Sequence, residues 1–196
     1  DFARVILTLL LPIALISSVL FMALGVPQTL DASVTAKTLE GNEQIIAIGP
    51  VASLESIKHL GSNGGGFFGA NSAHPFENPN GLTNLYSMVL MLVTPLAFPI
   101  AYGRLLGRGR GMSILITLLL GFGALLVLAL SAESSPSGLE TRFGNFGSII
   151  FNVVSISTNT GTVNAPLSAM SPNAISSLLL AMFIQAVPGA DGTGIM

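Results

Sequence analysis

Two short runs of this chain combine uncharged oxygens with glycine: Ser62-Asn63-Gly64-Gly65-Gly66 and Asn159-Thr160-Gly161-Thr162-Val163. Gly64 and Gly161 can take backbone angles closed to other residues and so turn carbonyls toward a common axis. Ser62, Asn63, Asn159 and Thr160 add neutral side-chain oxygens, and neither run contains Asp or Glu. Divalent-cation filters are usually acidic rings, whereas neutral carbonyl oxygens replace the hydration shell of a weakly hydrated monovalent ion. The chemistry these residues suit is coordination of potassium.

The segments around the runs explain how they would be held. Four apolar stretches are expected as membrane spans, at 5–26, 82–101, 112–130 and, interrupted by Pro188, 174–187. A helix rises about 1.5 Å per residue, so about 20 residues cross a hydrocarbon core of about 30 Å. The first three meet that length, and the fourth is short and carries Gln185. Ahead of each polar run lies a stretch of about ten residues, too short to span. One is 51–60, opened by Gly49-Pro50 and closed by Gly61; the other is 148–157, following Gly144 and Gly147. The order span, half-helix, polar loop, span therefore occurs twice, at an offset of 97 residues (161 minus 64), a parallel tandem repeat. The expected organisation is one pore repeat at 1–101, a cytoplasmic loop at 102–111 and a second pore repeat at 112–196. Polar backbone at membrane depth must be buried in protein or line water. A half-helix aiming its C-terminal end at the pore supplies roughly half a negative charge there.

Composition supports a bilayer as the solvent. Only 8% of the 196 residues are charged and 51% are hydrophobic, against about 25% charged in soluble domains. The net charge of −2, with no basic tract, gives no sign of nucleic-acid binding. The absence of cysteine excludes disulfides, thiolate metal sites and a cysteine nucleophile. Arg4, Arg104, Arg108 and Arg110 place 102–111 in the cytoplasm by the positive-inside rule. Segments 27–81 and 131–172 are then outside, and the former is acidic, with Asp31, Glu40, Glu43, Glu55 and Glu77 against Lys37 and Lys58. The chain begins at Asp1 rather than Met, and a fragment of a longer protein is expected.

Other readings of the same residues are weaker. Ser62–Gly66 lacks the Gly-Lys-Ser/Thr ending of a phosphate loop, and an ordinary glycine-rich turn is the plain alternative. His59, His74 and Glu77 match no helical ligand spacing and read as exposed polar residues. Glu55 and Lys58, three apart, read as a local helical pair. Phe67 and Phe68 read as packing behind the loop, and Asn71 through Pro79 as a rigid external turn. Pro95 and Pro99 are expected to kink the second span. No nucleophile triad, aspartyl-phosphate sequence or nucleotide fingerprint is present, so no catalysis or organic cofactor is expected of the chain itself.

The run Gly61-Ser62-Asn63-Gly64-Gly65-Gly66-Phe67-Phe68, with Ala70-Asn71-Ser72-Ala73-His74-Pro75-Phe76-Glu77-Asn78-Pro79 after it and Gly49-Pro50-Val51-Ala52-Ser53 before it, resembles the second filter loop of the KdpA family. Arg142-Phe143-Gly144 through Gly161-Thr162-Val163 is similar to that family's third filter region. The resemblance implies an all-α integral membrane fold of the kind shared with Trk, Ktr and HKT potassium proteins, of which this chain supplies repeats two and three of four. It also implies a potassium-selective subunit of an ATP-driven importer in a prokaryotic cell membrane. Its partners would be a P-type ATPase subunit, which hydrolyses the ATP, and smaller accessory subunits. The filter positions carry over as Ser62, Asn63 and Gly64, and as Asn159, Thr160 and Gly161. The family usually has threonine where Ser62 stands, asparagine where Gly69 stands, and Ser-Cys-Gly-Ala-Val where Asn159 to Val163 stand. The alternatives are a self-standing Trk/Ktr/HKT-like channel subunit and a non-conducting membrane assembly subunit.

Overall fold

The computed structural model describes residues 2–133 and 139–184. Among these, the order is α1 (Phe2–Ala23), β1 (Ser33–Lys37), β2 (Glu43–Ala47), α2 (Val51–Leu60), α3 (Gly81–Leu106), α4 (Arg108–Ala132), α5 (Gly144–Ser157) and α6 (Pro172–Ile184). Helices α1, α3 and α4 are long and apolar enough to cross a membrane. Leu7, Leu15, Val19, Leu119, Leu120 and Val127 on α1 and α4 point outward, where lipid rather than water suits them.

Local chemistry sets the details of the long helices. In α1 the turn at Ile6–Leu10 is a π-helix lying just ahead of Pro12. Pro12 has no N–H for the carbonyl of Thr8, and its ring crowds that carbonyl, so the turn widens. Helix α3 opens on a reciprocal cap. The Asn80 side chain accepts from the Leu82 and Thr83 N–H groups at 3.0 and 3.1 Å, and Thr83 Oγ1 accepts from the Asn80 N–H at 3.1 Å. From there α3 runs unbroken through Pro95 and Pro99. The loop expected at 102–111 shrinks to one residue, Gly107, at φ 124°. Helices α3 and α4 fold back on each other there because Gly103 and Gly111 allow it. A Cβ on Gly111 would stand 2.5 Å from Gly103 Cα and run into the Pro99 carbonyl. Arg104, Arg108 and Arg110 remain exposed around this hairpin.

The short helices fill the space between the long ones. Helix α2 packs on α1 and α3, while α5 packs on α3, α4 and α6. One core cluster joins Phe21 and Val26 to Val51, Ala52 and Leu90. A second joins Leu125 and Ala129 to Ile149, Val153, Ala174 and Leu178. Between them Met88 and Met91 of α3 meet Phe151 and Val154 of α5. Helix α5 starts at Gly144, one turn earlier than the 148–157 stretch. Helix α6 begins at Pro172, whose missing N–H costs nothing in a first turn. Residues 185–187 of the expected fourth span, and Pro188, lie outside the described residues. The hairpin β1–β2, pairing Ser33 with Ala47 through Lys37 with Glu43, stands in the connection between α1 and α2.

Candidate functional site

The C-terminal ends of α2 and α5 are built alike, bond for bond. Gly61 N–H donates to the Ile57 carbonyl at 2.9 Å, Ser62 N–H to His59 at 3.3 Å and Asn63 N–H to Lys58 at 2.9 Å. At the same offset of 97 residues (158 minus 61), Thr158 donates to Val154 at 3.0 Å, Asn159 to Ile156 at 3.1 Å and Thr160 to Ser155 at 2.8 Å. This is a Schellman closure, in which the residue after the cap takes left-handed angles. That residue is Ser62 at φ 50° in one copy and Asn159 at φ 57° in the other. Left-handed angles cost a residue with a Cβ about 1–2 kcal/mol, and keeping the strain twice at one position marks a constrained site. The closure also uses carbonyls that the sequence alone would leave unpaired at the helix ends. The aligned peptide dipoles of α2 and α5 still point their negative ends at the loops.

The loops then meet. A Cβ on Gly64 would lie 3.0 Å from the Thr160 carbonyl oxygen and 3.2 Å from that of Gly161. Gly64 and Gly161 are both exposed at this junction. Gly161 takes the expected left-handed angle, φ 76°, but Gly64 does not; in the first loop that angle belongs to Gly65, at φ 88°. Gly64 is needed for closeness rather than for torsion. The side-chain oxygens also differ from expectation. The Thr160 hydroxyl is buried and bonds to that of Thr158 at 2.7 Å, so what Thr160 presents to Gly64 is its carbonyl. The Asn63 amide donates to the Gly61 carbonyl at 3.1 Å, within its own loop. Ser62 and Asn159, in their left-handed turns, start the two loops. What the two loops bring together is therefore backbone: Gly64 against the carbonyls of Thr160 and Gly161.

Behind the first loop lies a buried charged cluster that sequence reasoning missed. Glu55, Lys58 and Glu77 are only 1%, 8% and 0% exposed, so Glu77 and His59 are not the exposed residues expected, while the expected local pair Glu55–Lys58 does form and is buried. Lys58 Nζ donates to Glu55 Oε1 at 2.6 Å, Ser72 Oγ at 3.1 Å and Glu77 Oε2 at 3.2 Å. His59, also buried, places Nε2 3.0 Å from Glu55 Oε2. Glu77 Oε1 accepts the Phe68 N–H at 2.9 Å, and its carboxylate covers Gly66, where a Cβ would stand 2.5 Å from Oε2. Asn71 Oδ1 accepts the Gly65 N–H at 2.7 Å. The segment 71–79 is therefore folded against the loop. Phe68 does pack there, stacked 3.9 Å from the His74 ring, while Phe67 lies over Gly49. Among the described residues no three His, Cys, Asp or Glu side chains are grouped to hold a metal.

The sequence held a signal for this cluster. Ionisable residues on a half-helix expected to enter the membrane need a named partner, and Glu77 is the acid that the same loop returns.

Burial pushes the Glu77 carboxyl up from 4.5 to about 7; the hydrogen bond and charge of Glu55 add to this, and the Phe68 N–H and Lys58 oppose it. The folded protein then holds this proton more tightly than the unfolded chain does. That contribution to stability is full below the unfolded value and is lost as pH rises through the folded one. Melting of the assembled protein in detergent is expected at lower temperature at about pH 8 than at about pH 5. Glu77→Gln should flatten that difference; an unchanged slope would refute the assignment.

A second polar belt ties the repeats together. Asn84 Oδ1 accepts from Asn78 and Asn164, both at 2.9 Å, and its amide donates to the Gly147 carbonyl at 3.2 Å. Arg142 donates to the carbonyls of Asn78 and Ala73, both at 2.6 Å. The family model described as KdpA, potassium-transporting ATPase A subunit, matches residues 1–196, the whole chain.

Proposed function

Because the chain belongs to the KdpA family of potassium-transporting ATPase A subunits, we propose that its two glycine loops are half of a potassium filter, coordinating the ion through backbone carbonyls. Membership makes it a membrane transport protein with potassium as its transported substrate. The finer reading assigns the ion to carbonyls of the loops bearing Ser62, Asn63 and Gly64 and bearing Asn159, Thr160 and Gly161. The observation that carries it is the approach of Gly64 to the Thr160 and Gly161 carbonyls at the ends of two identically capped half-helices. Two negative helix ends and neutral oxygens favour a monovalent cation without an acidic ligand. Two further loops outside this chain would complete the ring.

In this reading the chain hydrolyses nothing. ATP is split by a separate subunit, with smaller subunits completing the complex in a prokaryotic cell membrane. The positive-inside rule, applied to Arg104, Arg108 and Arg110, supports a cytoplasmic α3–α4 hairpin and an outward-facing entrance to the loops. Potassium uptake by the full complex is expected to stop when ATP hydrolysis is blocked. Uptake that continues would favour the self-standing channel.

A further inference from the structure

The two half-helices share their caps but not what stands behind them. Counting 97 residues on from Glu55 and Lys58 gives Asn152 and Ser155 on α5. Both are buried, but neither is charged. The Asn152 amide reaches only Met170 Sδ, at 3.9 Å, and Ser155 Oγ makes no hydrogen bond among the described residues. The corresponding step from Ser72 gives Ala169, which has no hydroxyl. A buried ionic cluster is costly to retain, and here one repeat keeps it while its twin does without. A general need of the fold would appear in both.

The cluster's contacts point to what it serves. Glu77 holds the Phe68 N–H and covers Gly66, which fixes the far end of the first loop. Lys58 joins Glu77 to Glu55 on α2, the helix whose end starts that loop. Ser72, which receives Lys58 Nζ, bonds through its hydroxyl to Thr162 Oγ1 of the second loop at 3.3 Å. Both ends of loop one and one point of loop two thus hang on a single buried ammonium.

We propose that Glu55, Lys58 and Glu77 are positioning residues for ion selection, a one-sided ionic brace that sets loop one directly and loop two through Ser72. The inference rests on the filter reading above. None of the three touches the ion; they act by holding the carbonyls of Gly64, Thr160 and Gly161 at one separation. Small differences in that separation decide between cations of unlike size, so the brace governs discrimination more than turnover.

The test uses the full complex carrying Glu77→Gln, whose amide keeps an acceptor for only one of Lys58 and the Phe68 N–H and turns a donor toward the other. Uptake of potassium, rubidium and sodium is measured against concentration, with co-purification of the subunits as the assembly check. The expected result is a KM for potassium raised about tenfold, with discrimination against sodium lowered similarly and maximal rate nearly kept, the scale of one broken charge-assisted hydrogen bond. Wild-type KM and discrimination in an assembled Glu77→Gln complex would overturn the proposal. If Glu77→Gln fails to assemble, Ser72→Ala decides, since it removes only the hydroxyl between brace and second loop. Lowered discrimination there supports the brace, and unchanged discrimination rejects it. Gly161→Asp separates the two levels. If it leaves uptake intact, the filter reading itself has failed; if it abolishes uptake while Ser72→Ala and Glu77→Gln change nothing, only the brace has failed.

Discussion

Gly64→Asp is expected to abolish growth at low potassium while the complex still assembles. The reason is distance. A Cβ on Gly64 would lie 3.0 Å from the Thr160 oxygen and 3.1 Å from the Gly161 carbonyl carbon. Both neighbours are backbone, locked by the Thr160 N–H bond to Ser155, and cannot swing aside as a flexible side chain would. Gly64→Ala alone must push the loops apart and should raise the KM for potassium by roughly tenfold or more, because an under-coordinated ion is not compensated for its lost water. The aspartate adds a full negative charge where the loops are neutral, which holds a cation too tightly to release and favours divalent ions. Gly121→Ala, in α4 with open space at its Cβ, serves as the control and should behave as wild type. Potassium-dependent growth and ion uptake by purified complex measure the effect. Wild-type uptake by Gly64→Asp would remove these loops from the ion path.

How much of this could be read from the sequence differs by element, and the differences have physical causes. The bounds of α2 were marked by residues that punctuate any chain, Gly49-Pro50 before it and Gly61 after it, and the helix runs Val51–Leu60 between them. Helix α5 has two such marks, Gly144 and Gly147, and the boundary falls at the earlier one: Gly147 lies in its first turn, where Phe143 packs at 3.1 Å from the position of a Gly147 Cβ. In the hairpin at Ser33–Lys37 and Glu43–Ala47 only one strand carries the strand signal: Ser33-Val34-Thr35-Ala36-Lys37 alternates polar and apolar residues, but Glu43-Gln44-Ile45-Ile46-Ala47 does not, and both are mostly exposed. Its turn residue, Gly41 at φ 85°, was the usable clue.

The candidate site divides in the same way. Spacing carried the loops and their repetition, since local hydrogen bonds within six residues build each cap. Torsion was misassigned to Gly64 because a glycine required for contact looks, in a sequence, like one required for angle. The charged cluster was missed for a different reason. Lys58 and Glu77 are separated by a loop that must first fold back, and reading Glu55–Lys58 as a local pair stops one partner short. Long-range closure decides burial, and burial decides what a charge is for.

Lys58→Met should strongly destabilise the protein. Its ammonium is the sole cation hydrogen-bonded to Glu55 and Glu77 among the described residues. Removing it leaves two buried carboxyl groups facing a methyl, and breaking one partner out of a buried ionic group costs about 3–5 kcal/mol. Were the pair exposed, the loss would be at most about 1 kcal/mol. The expected outcome is a sharp fall in the yield and melting temperature of the assembled complex. The triple variant Lys58→Met, Glu55→Gln, Glu77→Gln takes away all three charges together. With no charge left uncompensated, the penalty of a broken buried ionic group no longer applies, so part of the melting temperature should return. Ion discrimination should not return with it, because Gly66 and Phe68 would then lack the carboxylate that holds them while it is itself held by Lys58. Stability restored with selectivity still lost would separate the energetic role of the cluster from its positioning role. A triple variant that recovers both would reduce the cluster to ordinary packing.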